Sequence, residues 1–306
     1  MKKQTRLKPI VLTIGVFDGV HLGHQALIRE TVRQAQKHRA IPAVLTFLEH
    51  PVDVLKGGSK VPFLLSREET FRLLKSFGLL KVKVLRFTRA FSKKGPEQFV
   101  QWLLRQGSIR AIVVGKNFRF GRGAAGNIQT LKELGRKYGF EVSPVFPLKI
   151  GGQVVSSSRI RELLETGRVE TANRLLGRPY PLKGEVVHGR RVGRQMGIAT
   201  ANLGHVKQYL PKDGVYAGAV AVNGRFYRAG MNLGKRPTFA QKNPHRSAEA
   251  HLIGYRGRLY GRSLTVYLLK YLRPERKFAS VPLLVQQIKK DLKAIQAIPL
   301  KGLKPF

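Results

Sequence analysis

The first half of the chain alternates short, β-prone apolar runs with longer segments whose apolar residues recur at helical spacing. This alternation constrains the fold more than any other feature. The predicted strands cover residues 10–17, 43–47, 82–87, 111–115 and 141–146. The predicted helices cover residues 22–38, 66–77, 96–105 and 128–138. Strands that alternate with helices form parallel sheets covered on both faces, so we expect an α/β domain here.

The pattern changes near residue 181, where short strands separated by glycines replace the strand–helix units. The predicted strands there cover residues 184–188, 214–222, 225–232, 248–254 and 263–270. This spacing predicts an antiparallel β-barrel. A closing helix is predicted over residues 282–298, because Leu284, Ile288 and Ile295 belong to one apolar stripe. We therefore predict an α/β domain at residues 1–180 and a β domain at residues 181–306.

The chain is strongly basic and lacks cysteine. Its 306 residues include 57 lysines and arginines against 17 acidic residues, a formal net charge of +40. The absence of cysteine excludes disulfides, thiolate nucleophiles and Cys-ligated zinc, and it is typical of a reducing cytoplasm. A field this positive attracts polyanions. No aromatic-rich RNA-binding motif is present, so we expect incidental RNA binding but no specific nucleic-acid partner.

The apolar run at residues 9–17 follows several basic residues, as the core of a secretory signal does. It ends at Asp18 without a small-residue cleavage site, so we do not predict a signal peptide. No apolar run approaches the roughly 20 residues that a membrane-spanning helix needs. We expect a cytoplasmic protein without a membrane partner.

Two histidines, His21 and His24, follow the first predicted strand in the stretch GVFDGVHLGH, residues 15–24. The glycines of this stretch permit a tight turn from strand to helix. A helix N-terminus presents free N–H groups that bind phosphate, and residues three apart share one helix face. Both imidazoles can then hydrogen-bond one polyphosphate and stabilise charge that develops on a phosphoryl group. Two surface histidines beside a β-turn are the structural alternative.

The stretch GVFDGVHLGH resembles the HxGH signature of nucleotidyltransferases. It is similar to the opening motif of the bacterial bifunctional riboflavin kinase/FAD synthetases. The same resemblance extends over the segments TFLEHP (46–51), VVGKNFRFGRGAAGN (113–127) and SSSRIREL (156–163). It implies a Rossmann-like nucleotidyltransferase domain that transfers the adenylyl group of ATP to FMN, giving FAD and pyrophosphate.

The resemblance also implies roles for individual residues of the first domain. His21 and His24 would stabilise the transition state, and His50 would bind the flavin. The nucleotide and its phosphates would be bound by Gly15, Phe17, Asp18, Gly115, Asn117, Ser156, Ser157 and Arg161. Taken alone, the serines are also typical of a plain helix N-cap. The sequence departs from the family pattern at Glu49, Lys116 and Ser158.

A second glycine pattern, from Gly121 to Gly126, fits the G-x-G-x-x-G motif of dinucleotide-binding folds. Glu141 lies at about the distance expected for a ribose-binding acid. However, it begins a predicted strand, whereas that acid ends a strand in a dinucleotide fold. We therefore do not predict NAD binding.

The second domain resembles a flavokinase. The similarity is carried by GEVVHGRRVGRQMGIATANL (184–203) and by later segments at residues 210–217, 232–239 and 258–278. It implies phosphorylation of riboflavin to FMN by ATP. Thr200 and Asn202 would bind Mg²⁺ through oxygen atoms, although such a pair alone is more typical of a turn. Glu249 would be the general base for the ribityl hydroxyl, and Arg273 would bind the flavin phosphate.

Two alternatives are compatible with the same sequence. The chain could be a riboflavin kinase whose adenylyltransferase domain is impaired. Lys116, Ala199 and Gly254 depart from the family pattern and bear on the efficiency of both domains. It could also be a basic nucleic-acid-binding protein, because its net charge is +40.

Overall fold

The structure is a computed structural model that describes residues 8–57, 61–188, 200–235 and 246–303. The chain divides into two compact units. The first comprises the chain up to Val61 together with Arg67–Val155, and the second comprises Pro62–Ser66 and the chain from Ser156 onwards. Ala199, one of the departures from the family pattern, lies outside the described residues.

The first unit is built on a five-stranded parallel sheet. Its strands are β1 (Ile10–Ile14), β2 (Ile41–Phe47), β3 (Lys81–Leu85), β4 (Ile109–Gly115) and β5 (Glu141–Val145), in the order β3-β2-β1-β4-β5. Its helices are α1 (Leu22–Lys37), α2 (Pro51–Lys56), α3 (Arg67–Ser76), α4 (Arg89–Ser92), α5 (Pro96–Leu104) and α6 (Ile128–Tyr138). A short hairpin follows, β6 (Lys149–Ile150) and β7 (Gln153–Val154). The predicted α/β fold is confirmed.

The core of this unit lies on both faces of the sheet, because the central strand β1 is buried on both sides. Val11 packs with Ala35 of α1 on one face. Leu12 packs on the other face with Phe99 and Leu103 of α5. Apolar residues in succession along β1 are the sequence signature of such a doubly covered strand.

The second unit is a closed barrel with helices before and after it. Helices α7 (Ser157–Glu165) and α8 (Val169–Leu176) precede β8 (Tyr180–Val187), β9 (Ala201–Gly204), β10 (Gly214–Val222), β11 (Arg225–Lys235), β12 (Arg246–Leu252) and β13 (Ser263–Arg273). The strands close in the order β10-β11-β12-β9-β8-β13 with antiparallel neighbours, and α9 (Val281–Gln296) follows. The predicted barrel and closing helix are confirmed. None of the described helices is long and apolar enough to cross a membrane.

Element boundaries differ from the prediction mainly at turns. The first strand was predicted to reach Phe17 but ends at Ile14. Phe17 and Val20 have φ values of 54° and 38° in the left-handed region, which a strand does not accommodate. Helix α8 and the four-residue strand β9 have no counterpart among the predicted elements. Both are too short for their periodicity to stand out from the flanking sequence.

Candidate active sites

The turn between β1 and α1 positions the paired histidines. Phe17, Gly19 and Val20 all adopt positive φ, so the chain reverses within a few residues and α1 begins at Leu22. Phe17 is fully buried, and its ring centroid lies 5.1 Å from that of His24. This buried ring anchors the turn and keeps the N-terminus of α1 at the carboxyl end of β1.

His21 and His24 form one stacked pair at that helix N-terminus. Nδ1 of the N-cap residue His21 accepts a hydrogen bond from the backbone N–H of His24 at 3.2 Å. The two rings are nearly parallel, with centroids 3.7 Å apart and an interplanar angle of 16°. His21 is buried, so its position is set by packing as well as by the cap. The structure therefore brings both predicted histidines together beside N–H groups that favour anions.

Gly23, between the two histidines, permits this packing. A Cβ atom at this position would lie 3.2 Å from the His21 ring and 3.3 Å from the backbone oxygen of Val155. Both distances are shorter than ordinary carbon contacts. The glycine of the H-x-G-H pattern is thus required by close approach of the His21 ring to the helix.

Two further predicted residues, Asp18 and His50, lie together in the same unit. Oδ2 of the buried Asp18 is 3.8 Å from Nε2 of His50, which occupies the N-cap position of α2. The Thr46 hydroxyl donates a hydrogen bond to the Val16 backbone oxygen at 3.1 Å. These contacts join the carboxyl end of β2 to the turn after β1.

The strand order places these residues at a topological switch point. β1 lies between β2 and β4, so the chain leaves β1 toward one side of the sheet and returns on the other. Ligands of open α/β sheets bind in the crevice at such a point, outside the carboxyl ends of the strands. Gly115 ends β4 there, with no atom within 4 Å of an added Cβ, and Asn117 is exposed in the turn that follows. Lys116, the departure from the family pattern, has its Nζ 4.5 Å from the centroid of the Phe146 ring.

The predicted phosphate ligands Ser156, Ser157 and Arg161 belong to the second unit. Ser156 is the N-cap of α7, and its Oγ accepts a hydrogen bond from the backbone N–H of Arg159 at 3.2 Å. The Arg161 guanidinium donates to the Pro62 backbone oxygen at 3.0 Å and lies 5.5 Å from the Tyr209 ring centroid. The structure thus places Ser156 at the N-cap of α7 and Arg161 in the following turn of the same helix.

The glycines at residues 121–126 have a packing role. A Cβ on Gly121 would lie 2.8 Å from the backbone nitrogen of Pro96, and one on Gly126 would lie 2.7 Å from the Phe120 ring. Gly126 and Phe120 also exchange two backbone hydrogen bonds, at 2.9 and 3.1 Å. The G-x-G-x-x-G spacing therefore arises from a tight loop.

The second candidate site is a cavity of about 760 Å³ between the barrel and α9. Its lining combines an apolar wall from α9 with polar side chains from the barrel and from the segment after β13. The polar lining residues are Thr200, Asn232, Glu249, His251, Arg273, Glu275, Arg276, Lys277 and Asp291. Cavities of this size with an apolar wall and a few polar groups are typical ligand sites.

Glu249 is placed in this cavity by the register of three strands. On β12 it pairs with Asn202 of β9 on one side and with Asn232 of β11 on the other. Thr200, which lines the cavity, lies two residues before the buried Asn202. Three of the predicted kinase residues are therefore brought to one region of the barrel.

Arg273, at the end of β13, also lines the cavity and is held by Asp291 of α9. Nη2 of Arg273 lies 2.8 Å from Oδ2 of Asp291, and its Nε contacts both carboxylate oxygens at 3.1 and 3.2 Å. The Gln287 amide donates a further hydrogen bond to Asp291 at 2.8 Å. This fork geometry fixes the plane of the guanidinium.

The donor set near Thr200 fits a hard divalent cation. A hydroxyl, an amide oxygen and the Glu249 carboxylate are oxygen ligands of the kind Mg²⁺ prefers, and Mg²⁺ commonly takes few protein ligands together with ATP phosphates. Within the described ranges, no three His, Asp or Glu side chains are grouped to hold a metal by themselves. The residues present therefore fit a magnesium ion shared with a nucleotide.

Several cavity residues were missed by the sequence reasoning. Glu275 accepts a hydrogen bond from the Asn232 amide at 2.9 Å and also packs over Gly234, where a Cβ would clash with its carboxylate. Asp291 could have been noticed, because it is a lone acid within the apolar stripe of a lysine-rich helix. Nothing in the local sequence marks Glu275 or His251.

Comparisons with known proteins match a different family model to each part of the chain. A family model described as FAD synthetase matches residues 3–159, and one described as riboflavin kinase matches residues 176–299. A crystal structure from Streptococcus pneumoniae, described as a macrolide-efflux protein, superposes with a TM-score of 0.90 at 32% identity and covers 97% of each chain.

Curated relatives match along nearly the whole chain. The bifunctional riboflavin kinase/FMN adenylyltransferase of Bacillus subtilis is 36% identical over 92% of this chain and 90% of its own length. The protein of the same description from Escherichia coli K12 is 36% identical with the same coverage. That of Buchnera aphidicola from Schizaphis graminum is 32% identical over 93% of this chain and 92% of its own length. The chain therefore belongs to the bifunctional riboflavin kinase/FMN adenylyltransferase family.

Proposed function

We propose that this chain phosphorylates riboflavin to FMN in its second unit and adenylylates FMN to FAD in its first unit, with ATP as the donor in both reactions. One observation carries the proposal. The two matching family models fall mainly on different compact units, and each unit has its own group of polar side chains suited to the corresponding reaction.

In the adenylyltransferase reaction, an oxygen of the FMN phosphate attacks the α-phosphorus of ATP. The bond from that phosphorus to the bridging oxygen breaks, and pyrophosphate leaves. His21, His24 and the N-terminus of α1 hold the phosphates and stabilise the charge of the transition state. The chemistry is positioning and charge stabilisation, so it needs no covalent enzyme intermediate.

The other residues of this site bind the two substrates. Gly15, Phe17 and Asp18 form the turn against which the nucleotide lies, and His50 binds the flavin. Gly115 and Asn117, at the end of the neighbouring strand β4, contact the adenylate. Phosphate binding by Ser156, Ser157 and Arg161, at the start of α7, stays a prediction from the family resemblance.

In the kinase reaction, the Glu249 carboxylate takes the proton of the ribityl 5′-hydroxyl. The hydroxyl oxygen attacks the γ-phosphorus of ATP, and ADP leaves. Thr200 and Asn202 would hold Mg²⁺, which when bound neutralises phosphate charge. Arg273 binds the phosphate of the flavin product.

The domain assignment and the location complete the proposal. We place adenylyl transfer in residues 1–180 and the kinase in residues 181–306. Asn173 of α8 donates to the Leu268 backbone oxygen at 2.8 Å and accepts from the Tyr180 backbone N–H at 2.8 Å. A kinase fragment that keeps α7 and α8 is therefore the better one to prepare. A chain without cysteine is suited to the cytoplasm, where we place it.

The test supplies the full chain with ATP and Mg²⁺ and separates the flavin products. With riboflavin as substrate we expect FMN and then FAD. His21→Ala should abolish FAD formation and leave FMN formation intact. Glu249→Gln should block FMN formation from riboflavin but leave FAD formation from supplied FMN.

Matched controls are available in both units. His38→Ala alters the opposite end of α1, and Glu185→Gln alters an exposed glutamate on β8. Both control variants should keep both activities. Equal loss of both reactions in His21→Ala would refute the two-site assignment. FMN as the sole product of the native chain would favour a kinase with an impaired first unit.

A further inference from the structure

The amino edge of the first unit's sheet carries a cluster of cations that neither proposed reaction uses. All strands of a parallel sheet begin at the same edge, and here that edge is opposite the proposed adenylyltransferase site. Six exposed side chains, which we call the amino-edge cations, lie along that edge: Lys8, Arg39, Lys81, Arg105, Arg110 and Arg136.

The topology brings these residues together from separate parts of the chain. Lys8 and Arg39 each lie two residues before a strand, β1 and β2 respectively, and Lys81 begins β3. Arg105 lies between α5 and β4, and Arg110 is the second residue of β4. Arg136 is in the last turn of α6, directly before the chain enters β5. The sheet therefore collects six positive charges across its whole width.

Acidic side chains do not balance this cluster. The Glu97 carboxylate reaches the end of α6 but is paired with Lys137 at 2.7 Å, and Glu141 lies at the start of β5. The Glu141 carboxylate is already 3.3 Å from Nζ of Lys37 and 3.4 Å from Nε2 of His38. The hydrogen bond from Lys37 holds the pKa of the Glu141 carboxyl below its usual value. None of the amino-edge cations forms an ion pair with a carboxylate in the described part of the chain.

Helix dipoles account for only half of the arrangement. Cations near a helix C-terminus are favoured by about 0.3–1 kcal/mol, and this can explain Arg39 after α1, Arg105 at the C-cap of α5 and Arg136 in the last turn of α6. Lys8, Lys81 and Arg110, however, lie at the starts of strands, where no helix dipole requires a cation. These charges therefore suit a partner that carries negative charge.

The size and the chemistry of the edge indicate which partner. Five strands at roughly 4.8 Å spacing span about 19 Å. A nucleic-acid duplex carries one phosphate charge for about every 1.7 Å of its axis, so several phosphates face a surface of this width. A cleft of about 600 Å³ along β1, β2 and β3 is lined in part by Lys8 and Lys81. A second cleft of about 420 Å³ is lined in part by Arg110, Arg136 and Glu141.

The edge lacks the features that other anionic or base-reading partners need. Leu80 is the one large apolar side chain highly exposed at this edge in the described ranges, whereas membrane-surface binding needs an apolar face. No exposed aromatic side chain is described there to stack on bases. Contacts would therefore be made to phosphates, which carry no sequence information.

We propose that the amino-edge cations bind the phosphate backbone of double-stranded nucleic acid without sequence specificity. This function is independent of flavin synthesis, because the proposed catalytic residues lie at the opposite edge of the sheet or in the second unit. It also gives a use to part of the +40 net charge, which neither reaction requires.

The test measures fluorescence anisotropy of a labelled 20-base-pair RNA duplex and of a matched DNA duplex with the full chain over a range of salt. Saturating ATP and FMN are present, so that the substrate sites are occupied. The variant Lys81→Gln/Arg105→Gln/Arg110→Gln should bind at least about tenfold more weakly. Its slope of log K against log salt should be shallower by about 2.7, since each lost phosphate contact contributes about 0.9.

The matched control removes three exposed lysines from α9, Lys289, Lys290 and Lys293, and so changes the net charge equally. It should bind the duplexes nearly as the native chain does. Both variants should keep the native melting temperature and both flavin products. Should the first variant fail to fold, Arg110→Gln/Arg136→Gln replaces it, with an expected slope change of about 1.8.

Two results would overturn the proposal. Equal weakening in the α9 control would mean that attraction comes from the net charge and not from this edge. The second result is co-sedimentation of the chain with phosphatidylserine vesicles at a salt concentration that releases both duplexes. If the amino-edge variant no longer co-sediments, the partner is an acidic membrane instead.

Discussion

The contact between Arg273 and Asp291 permits a sharp test of how the kinase cavity is held. Asp291 is 9% exposed, and its carboxylate accepts three hydrogen bonds of 2.8 to 3.2 Å from the Arg273 guanidinium. Asp291→Asn removes the negative charge while keeping the volume and one oxygen acceptor. We expect the arginine side chain to lose its fixed orientation while the barrel remains closed.

The magnitude follows from the burial of the pair. Removing one partner of a fully buried ion pair costs about 3–5 kcal/mol. Arg273 lines the cavity with a side chain that is 18% exposed, so water replaces part of the lost interaction. We therefore expect a loss of about 2 kcal/mol, or about 4–8 °C in the melting temperature of a unit of this size. A misplaced binding group commonly lowers rates by about tenfold or more.

The assay compares kcat/KM for riboflavin phosphorylation with the rate of FAD formation from supplied FMN. Asp291→Asn should lower the first about tenfold and leave the second unchanged. Asp213→Asn is the matched control, because Asp213 accepts from Nε of Arg246 at 2.8 Å in the same unit and does not line the cavity. The control should lower stability without a specific loss of kinase rate. Equal kinase rates in the two variants would refute the positioning role of Asp291.

Two further predictions concern the first unit. Gly23→Ala places a methyl group 3.2 Å from the His21 ring, so FAD formation should fall about tenfold while FMN formation stays unchanged; a native rate would show that the stacked geometry is dispensable. Hydrogen bonds from Arg33, Gln34 and Ser143 lower the pKa of Glu30 to about 2, so its contribution to folding is complete above pH 4.5 and is lost as the pH falls toward 2. Because Arg33 is largely exposed, Glu30→Gln should lower the free energy of unfolding by only about 1–2 kcal/mol at pH 7, and by almost nothing near pH 2. Thermal melts in which the variant differs from the native chain equally at both pH values would contradict this.

Much of the fold could be predicted because its signals are local. Apolar runs and helical spacing are read within a few residues, and they indicated the parallel sheet and the barrel. The strand–turn–helix around His21 and His24 is also local, so the sequence alone indicates the pair. Short elements such as β9 and α8 were missed, because they are held by their neighbours and not by a periodic pattern of their own.

The kinase site illustrates what local signals omit. The side chain of Asp291 meets Arg273 across 18 residues of sequence, and Glu249 becomes the neighbour of Asn202 through strand pairing. No spacing rule predicts such contacts, because barrel closure determines which strands are adjacent. The family resemblance indicates individual residues of this site. The side chain that holds Arg273 in place, Asp291, is identified only by the packing of α9 against the barrel.

The sequence by itself determined two domains, their classes and the pair of histidines at a helix start, because each depends on periodicity and turn chemistry within a short segment. Only the tertiary structure decided which side chains share a site. Three features depend on the order in which strands pair. They are the switch point between β1 and β4, the ion pair of Asp291 with Arg273, and the position of six cations along one sheet edge. Strand order is set by the burial of whole faces, and so it cannot be read from any one segment.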